Sequence, residues 1–198
     1  MLIEHAGAAP SIAESAYVAP TAVVCGNVRI GADSRVLFGA VIVADDGPVE
    51  VGTKCIIMEN AVLRGRPRHP LLLGDRVLVG PHAHLNGVTV EDDVFIATGV
   101  SAFPGAHIES GSEVRINSVV HVNSRLLADT TVPIGWIAVG DPAELFEPSR
   151  VDDYWPKLKA LDFPSTLFGV AREELTMDKL TSIYVELFSG HRDDRVVG

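Results

Sequence analysis

The sequence predicts a mostly β protein, a parallel β-helix followed by C-terminal α-helices. A six-residue repeat runs from about residue 12 to residue 140, and an aliphatic residue opens each unit. A small residue, most often Ala, Ser or Val, stands four places later. Beyond residue 148 the repeat gives way to helical spacing. Internal repeats outrank local propensity when a fold is predicted, so these three observations decide the fold class.

The first coils are predicted to run without interruption from residue 12 to residue 42. Three six-residue units make one coil of about 18 residues, with three short faces and one inward residue near each corner. Each coil has an apolar interior that only the next coil can cover, so many coils must stack. The opening residues of this first stretch are Ile12, Val18, Val24, Ile30, Val36 and Ile42.

Two interruptions of the repeat indicate loops. Residues 44–48 form a turn-rich segment, and residues 65–70 contain two prolines and a glycine. Ile57 and Val79 are 22 positions apart, four more than one coil, so residues near 65–70 are predicted to loop outward. Arg64 and Asn86 should therefore stack one coil apart on the same face. Loops that leave a rigid scaffold often carry functional residues.

Both ends of the β-helix need a cover, because an open solenoid end exposes unpaired backbone groups. Residues 1–11 are predicted to pair with the first coil or to cover it. The repeat ends near residues 133–136. We therefore divide the chain into a β-helix over residues 1–147 and a helical extension over residues 148–198, which packs on the β-helix or across a subunit boundary.

One amphipathic helix is predicted near the C-terminus. Thr176 is its expected N-cap and Gly190 its expected end. Its apolar face has spacings of three and four residues, carried by Leu180, Ile183, Tyr184, Leu187 and Phe188.

The rest of the extension is predicted to be simpler. A short helix over about residues 149–161 is started or kinked by Pro156. Residues 162–169 are interpreted as a connecting loop, and the charged residues 191–195 as a solvated tail.

The composition excludes several partners. The chain has 198 residues, 47% of them apolar, and a net charge of −10, which argues against nucleic acid and anionic membranes as partners. No segment approaches the roughly 18 apolar residues of a membrane span. We see no basic start followed by an apolar core at the N-terminus, and therefore no signal peptide.

Two cysteines are too few for a disulfide framework. Cys55 occupies a small inward position of the repeat and is predicted to be packed. Cys25 follows an inward valine and is predicted to be exposed. The chain is interpreted as cytoplasmic and reduced.

Short motifs along the repeat carry a family resemblance. They are Ile30-Gly31, Asp45 before a loop, Val51-Gly52-Thr53, Asn60-Ala-Val-Leu63, Val79-Gly80, Leu85-x-Gly87 and Val139-Gly140-Asp-Pro142-Ala143. With them, residues 18–143 resemble the γ-class carbonic anhydrases and their hexapeptide-repeat relatives. The resemblance implies a left-handed β-helix, a homotrimer, and a site between adjacent subunits.

The resemblance also implies a zinc ion held by three histidines, and this sequence departs from it there. Arg64, Pro81 and Asn86 stand at the three ligand positions. A guanidinium is always protonated and cannot ligate zinc, and proline offers no side-chain ligand atom. Two supporting positions also differ from the family, where this sequence has Val43 and Met58. Two others, Asp45 and Asn60, match it. Hydration of CO2 by the family mechanism is therefore not expected, and neither is a cofactor.

Three nearby histidines leave a metal site open as an alternative. His82 and His84 are predicted to project outward from one short strand, and His69 lies in the neighbouring loop. Together they could form a displaced zinc site. The other interpretation is that they are surface or interface histidines. His107 and His121 are given structural or surface roles.

The expected function is binding or transformation of a small, anionic molecule in a cleft between subunits. Arg64 would pair with a carboxylate or phosphate of the ligand, and a histidine would serve as general base. Alternatively, Arg64 forms a salt bridge to Asp45 or Glu59 of a neighbour. The candidate catalytic residues are His84, His82 and Asn86, and the candidate ligand-binding residues are Arg64, Glu59, Asn60 and Asp45.

Three other functions remain open at this stage. Hexapeptide-repeat acyltransferases use a thioester donor, but they usually have a longer protruding loop than residues 65–70. The chain could also be a non-catalytic scaffold or binding protein, or a zinc hydratase with relocated histidine ligands.

Overall fold

The computed structural model describes residues 1–45 and 47–198, and it is a parallel β-solenoid with a C-terminal helical extension. Its strands form three sheets, which we call face 1, face 2 and face 3. On each face, strands from successive coils lie side by side in parallel. The predicted fold class is confirmed.

Face 1 is a ten-stranded sheet, and eight of its strands run in parallel. In spatial order they are Glu144–Phe146, Ile137–Val139, Val119–Val120, Ser101–Ala102, His84–Asn86, Val62–Gly65, Val41–Ala44, Val23–Cys25, Leu2–Glu4 and Arg195–Val196.

Faces 2 and 3 have seven strands each. Face 2 consists of Ser11–Ile12, Val28–Ile30, Val49–Val51, Leu71–Leu73, Thr89–Val90, His107–Ile108 and Arg125–Leu126. Face 3 consists of Tyr17–Val18, Arg35–Val36, Ile56–Ile57, Leu78–Val79, Phe95–Ile96, Glu113–Val114 and Thr131–Val132.

The core is the stack of inward residues that the repeat predicts. From Val24 to Val120 the aliphatic residues that open the units are buried, as are the small residues at the fourth offset from Ala22 onward. The corners between faces turn through left-handed backbone, for example at Asn60 and His82, each with φ of 57°. Because side chains alternate across each short strand, the same register decides which polar residues face outward.

The second interruption of the repeat loops outward as predicted. Arg64 lies opposite Asn86 in the neighbouring coil, which confirms their predicted stacking. Immediately after this strand, Arg66 and His69 bridge each other in a tight hairpin that leaves the solenoid.

Both ends of face 1 are closed by an antiparallel strand. Leu2–Glu4 pairs in parallel with Val23–Cys25, and its outer edge pairs with Arg195–Val196. At the other end Glu144–Phe146 folds back on Ile137–Val139. The interpretation of residues 191–195 as a solvated tail is therefore wrong, because part of this segment is used to satisfy an open sheet edge.

The extension contains three α-helices: α1 (Val151–Ala160), α2 (Phe163–Phe168) and α3 (Met177–Leu187). Short 3-10 helices cover Arg172–Glu174 and Ser189–Asp193. None of the helices in the described part of the chain is long and apolar enough to cross a bilayer.

The helix boundaries agree with the sequence in part. Thr176 caps α3 and accepts a hydrogen bond from the Lys179 amide at 3.2 Å, as predicted. The end predicted at Gly190 is wrong, because α3 ends at Leu187 and continues as a 3-10 helix. Pro156 lies inside α1 and does not start it.

The loop predicted for residues 162–169 is also wrong, because most of it is α2. Pro164 lies in the first turn, where its missing N–H costs nothing, and Gly169 closes the helix at φ of 65°.

Aromatic rings join α2 and α3 to face 1. Consecutive rings pack edge-on or stacked, with centroids 5.4–6.5 Å apart. In order they are Phe103, Phe163, Phe168, Tyr184 and Phe188. The extension therefore lies over the face that carries Arg64.

Buried serines at the small position of the repeat form hydrogen bonds between neighbouring coils, and the number of these bonds differs from one serine to another. The Ser34 hydroxyl donates to the Gly52 carbonyl at 2.8 Å and accepts from the Cys55 amide at 2.9 Å. The Ser112 hydroxyl only donates, to the Leu127 carbonyl at 3.1 Å. Ser34→Ala should therefore lower the free energy of unfolding by about 1–3 kcal/mol, because a buried N–H loses its partner.

Ser112→Ala is the matched control, and we expect it to cost about 1 kcal/mol or less. Denaturant unfolding of both variants and the parent measures the difference. Equal losses in the two variants would contradict this role of Ser34.

Candidate functional site

Asp45 lies at the centre of the candidate site. It follows the face 1 strand Val41–Ala44 and is only 2% exposed. Its Oδ2 is 3.2 Å from Nε of Arg64, and its Oδ1 is 3.3 Å from Nε2 of His191. Arg64 therefore forms an ion pair with Asp45 of the same chain. The sequence analysis gave Asp45 as a salt-bridge partner of Arg64, as an alternative to a bound ligand.

The Arg64–Asp45 pair is close but poorly aligned. Among residues 1–45 and 47–198, neither Nε of Arg64 nor Oδ2 of Asp45 finds a hydrogen-bond partner, although both atoms are buried. The two side chains therefore attract each other electrostatically but do not form a hydrogen bond between these atoms.

Two arginines of the same strand end are covered by the extension. The guanidinium carbon of Arg64 is 5.6 Å from the centre of the Phe188 ring, and that of Arg66 is 5.9 Å from the Tyr184 ring. Arg66 Nε donates to Oδ1 of Asn86 at 3.1 Å, and Asn86 is almost fully buried. The amide oxygen of Asn86 is thus already used inside the chain.

His84 lies on face 1 with the edge of its ring against Phe103. Burial lowers the pKa of His84, and the positive charges of Arg64 and Arg66 lower it further. The imidazole is therefore neutral near pH 7 and can accept a proton. A general base must be unprotonated before it reacts, so this neutral imidazole has the protonation state that the predicted role of His84 needs.

The remaining predicted site residues lie elsewhere. His82 is in the corner before the His84–Asn86 strand, so the expectation that both histidines project from one strand is wrong. The amide of His82 donates to the Glu59 carbonyl at 3.0 Å, and Asn60 turns the same corner one coil below. Arg64 is at the opposite end of its strand from this corner.

His69 lies in the hairpin that leaves the solenoid after Arg64. The hairpin, together with Pro104, Thr166 and Leu167, encloses a cavity of about 170 Å³. Arg66 and Arg68 line this cavity with His69. Burial, together with the charge of Arg68, lowers the pKa of His69. The cavity thus combines two permanent positive charges with a neutral imidazole.

A second polar cluster joins the two ends of the chain. It consists of His5, Cys25, His191 and Asp194. Cys25 is 3% exposed, so the expectation that it is exposed is wrong. Burial raises the pKa of Cys25 to about 11, and the nearby Asp194 carboxylate adds to the effect.

The residues at the expected zinc positions do not fit a zinc ion. Arg64 is paired with Asp45, Pro81 has no ligand atom, and the oxygen of Asn86 accepts from Arg66. Among residues 1–45 and 47–198, the cluster at the chain ends is the one group of three or more His, Cys, Asp or Glu residues that could hold a metal. His69, His82 and His84 do not form such a group there.

The chain is similar in sequence to proteins of one enzyme class. It is 35% identical over 142 residues to gamma carbonic anhydrase 1, mitochondrial, of Arabidopsis thaliana, covering 68% of this chain and 49% of that protein. It is 29% identical over 153 residues to a carbonic anhydrase of Geobacillus kaustophilus, covering 77% of this chain and 81% of that protein. The chain spans about half the length of the Arabidopsis relative. No family model matches it.

A solved structure shares the fold. The acyltransferase LpxA of Bacteroides fragilis, which acts on UDP-N-acetylglucosamine, superimposes with a TM-score of 0.56. The match covers 93% of this chain and 89% of that one, at 17% sequence identity. At this identity the likeness concerns the solenoid architecture alone.

The histidine at position 121 provides a test of the site's packing. Its ring contacts Phe103 and Phe163, its Nδ1 has no partner, and burial alone lowers its pKa. The unfolded chain therefore takes up a proton at a higher pH than the folded chain does. The resulting stability is present above the unfolded pKa, near 6.5, and is lost as the pH falls through the folded value.

The variant His121→Phe should therefore lose less stability than the parent between about pH 7.5 and pH 5. Denaturation midpoints of both proteins at the two pH values measure this difference. His107, whose Nε2 is 2.8 Å from Glu91 Oε1, supplies the control variant His107→Phe. An unchanged pH dependence in His121→Phe would show that this imidazole is not held neutral by burial.

Proposed function

Because the chain is a hexapeptide-repeat β-solenoid related in sequence to the gamma carbonic anhydrases, we propose that it is a homotrimer that binds a small anion. We further propose that it does not hydrate CO2 at the positions equivalent to the family's zinc site. The observation that carries the proposal is the cavity lined by Arg66, Arg68 and His69. It concentrates positive charge in a chain whose net charge is −10.

The size of the cavity favours a small ligand. A water molecule occupies about 30 Å³, so about 170 Å³ accommodates an anion of a few heavy atoms, such as bicarbonate, acetate or phosphate. Guanidinium groups bind such oxyanions through paired, charge-assisted hydrogen bonds. His69, held neutral, can accept a hydrogen bond from a protonated ligand oxygen.

The wall opposite the arginines is fixed by hydrogen bonds. Thr166 Oγ1 accepts from Nδ2 of Asn123 at 3.0 Å and donates to the Leu161 carbonyl at 3.2 Å. These contacts tie α2 to the solenoid beside the hairpin. A cavity with fixed walls loses less entropy when a ligand binds.

An apolar strip supports self-association. Residues of successive coils stack along one corner of the solenoid and are joined by backbone hydrogen bonds. Each of them lies two positions beyond the inward residue of one of the six face 3 strands from Arg35–Val36 onward. In order they are Phe38, Glu59, Pro81, Thr98, Ile116 and Ile134. Phe38, Ile116 and Ile134 are exposed, Ile134 by 66%, and apolar exposure of this kind is typical of a buried interface.

This corner offers a subunit boundary that the extension does not cover. In a ring of three identical subunits the exposed apolar residues would be buried by a neighbouring copy. Glu59, Asn60 and His82 share the corner and would then lie at the boundary between subunits. The inter-subunit cleft that the sequence analysis predicts would exist only if the chain forms this trimer, and it is therefore part of the same proposal.

The other functions receive less support. The likeness to an acyltransferase concerns the fold alone, and no described contact favours a thioester donor. We also propose a cytoplasmic location, because the two cysteines are not joined in a disulfide. The Arabidopsis relative is a mitochondrial protein.

Arg68→Gln tests anion binding. The variant loses a charge at the cavity but no hydrogen bond to any described residue, whereas the Arg66 side chain also donates to Asn86. We expect the affinity for bicarbonate or phosphate to fall about tenfold or more, because a charge-assisted hydrogen bond contributes about 1.5–3 kcal/mol. Isothermal titration calorimetry at low salt measures the effect.

Arg172→Gln, which removes the same charge from an exposed 3-10 helix, is the matched control. The proposal fails if neither bicarbonate, acetate nor phosphate binds the parent at millimolar concentration. It also fails if the two arginine variants lose affinity equally, because the effect would then reflect net charge alone.

Ile134→Asp tests the trimer. A carboxylate among the apolar residues of the interface would be buried without a partner, so we expect the variant to be monomeric at concentrations where the parent is trimeric. Light scattering after size-exclusion chromatography gives the mass. Val185→Asp, at a 71% exposed position of α3, should remain trimeric. A monomeric parent at about 50 μM, or a trimeric Ile134→Asp, would overturn the proposed interface.

A further inference from the structure

The polar cluster at the chain ends brings together four residues that are distant in sequence. His5 Nδ1 is 2.6 Å from Oδ1 of Asp194, and His191 Nδ1 is 2.8 Å from Oδ2 of the same carboxylate. Cys25 Sγ is 3.8 Å from Oδ2 of Asp194. The two imidazole rings stack with their centres 4.3 Å apart, and their Nδ1 atoms contact the two oxygens of the same carboxylate.

We propose that His5, Cys25, His191 and Asp194 bind a zinc ion that ties the two ends of the chain together. Their ligand atoms all lie within 4.8 Å of one another. The site is separate from the arginine-lined cavity, and the proposal does not rest on anion binding.

The ligand types suit zinc. Two imidazoles, a thiolate and a carboxylate form a tetrahedral set of nitrogen, sulfur and oxygen donors that Zn²⁺ prefers, while the sulfur disfavours Mg²⁺ and Ca²⁺. One thiolate and one carboxylate balance the two charges of the ion, so the centre is neutral, with two ligands buried and two partly exposed.

The separations need adjustments of up to about 1 Å. Bonds of about 2.0–2.3 Å to a tetrahedral zinc place ligand atoms about 3.3–3.8 Å apart. The Cys25–Asp194 separation of 3.8 Å lies at the upper end of this range, and each imidazole nitrogen would move about 0.5–0.7 Å away from the carboxylate oxygen that it now contacts. Any pair of ligand atoms as far apart as 4.8 Å would have to approach by about 1 Å. His191 and Asp194 are partly exposed, so rotation of their side chains would allow such a movement.

A fifth residue orients one of the ligands. With its Nδ1 on the metal, His191 carries its proton on Nε2, which is 3.3 Å from Oδ1 of the buried Asp45. Metal-bound histidines commonly donate their second nitrogen to a carboxylate in this way. The other oxygen of Asp45, Oδ2, lies 3.2 Å from Nε of Arg64, so the carboxylate bridges this arginine and the metal-binding histidine.

The position of the site explains what the ion would do. His5 follows the first strand of face 1, Cys25 ends the second, and His191 and Asp194 precede the strand that caps the sheet. One ion would therefore fasten the cap and hold the end of α3, including Phe188, over Arg64. A cavity of about 720 Å³ lined by His5 and Gly190 borders the cluster and provides an entry path.

Metal analysis of the full-length protein, purified from zinc-supplemented cells without chelator, is the primary test. We expect about one zinc per chain in the parent and less than about a tenth of that in Cys25→Ser and His191→Gln. Removal of zinc by a strong chelator should lower the thermal midpoint of the parent, and added zinc should restore it. His121→Gln, which changes another half-buried histidine on face 1, should keep its zinc.

Cobalt substitution identifies the sulfur ligand even if one variant folds poorly. The cobalt-loaded parent should show a thiolate-to-cobalt charge-transfer absorption, and Cys25→Ser should lack it. Asp45→Asn should weaken metal affinity about 10- to 100-fold while keeping the absorption.

Three results would overturn the proposal. The first is a parent that is isolated without zinc and takes up none on titration. The second is zinc that is fully retained in Cys25→Ser and His191→Gln, because the ion would then lie elsewhere. The third is a cobalt spectrum without thiolate absorption.

Discussion

The constraint on which the structure depends is that each coil can bury its apolar interior only against the next coil. The inward residues must therefore line up through the whole solenoid, and a slip of one residue would turn every side chain of a strand to the opposite side. Outward residues are ordered by the same constraint. Arg64 and Asn86 lie one above the other because Leu63 and Leu85 are both fully buried one position before them.

Asp45 connects the two polar regions that this register creates. One of its oxygens faces Arg64 and the other faces His191, and the residue is almost completely buried. A buried carboxylate is costly without positive charge nearby, so neither partner can change without consequence for the other. The orientation of the terminal cluster is thus physically coupled to the strand end from which the arginine-lined hairpin leaves the solenoid.

The sequence predicted what is periodic and missed what joins distant segments. The repeat identified the core, the outward loop after Arg64 and its stacking on Asn86, and the helix cap at Thr176 followed from local chemistry. The contacts of His5 with residues 191–194 follow no spacing, because they arise when two chain ends meet at one sheet edge. Cys25 was misjudged for the same reason: the segment that buries it lies about 170 residues away.

The pairing of Arg64 with the buried Asp45 has an electrostatic explanation. A buried carboxylate at this position needs a cation, and a metal ion or a guanidinium can meet that need. A guanidinium keeps its charge at every accessible pH and needs no loading, but it cannot lower the pKa of a water as zinc does. Arg64 therefore neutralises Asp45 without a metal ion, and Arg66 and Arg68 supply the positive charge at the cavity proposed to bind an anion. The proposed function, binding of a small anion without hydration of CO2, is consistent with this use of a guanidinium.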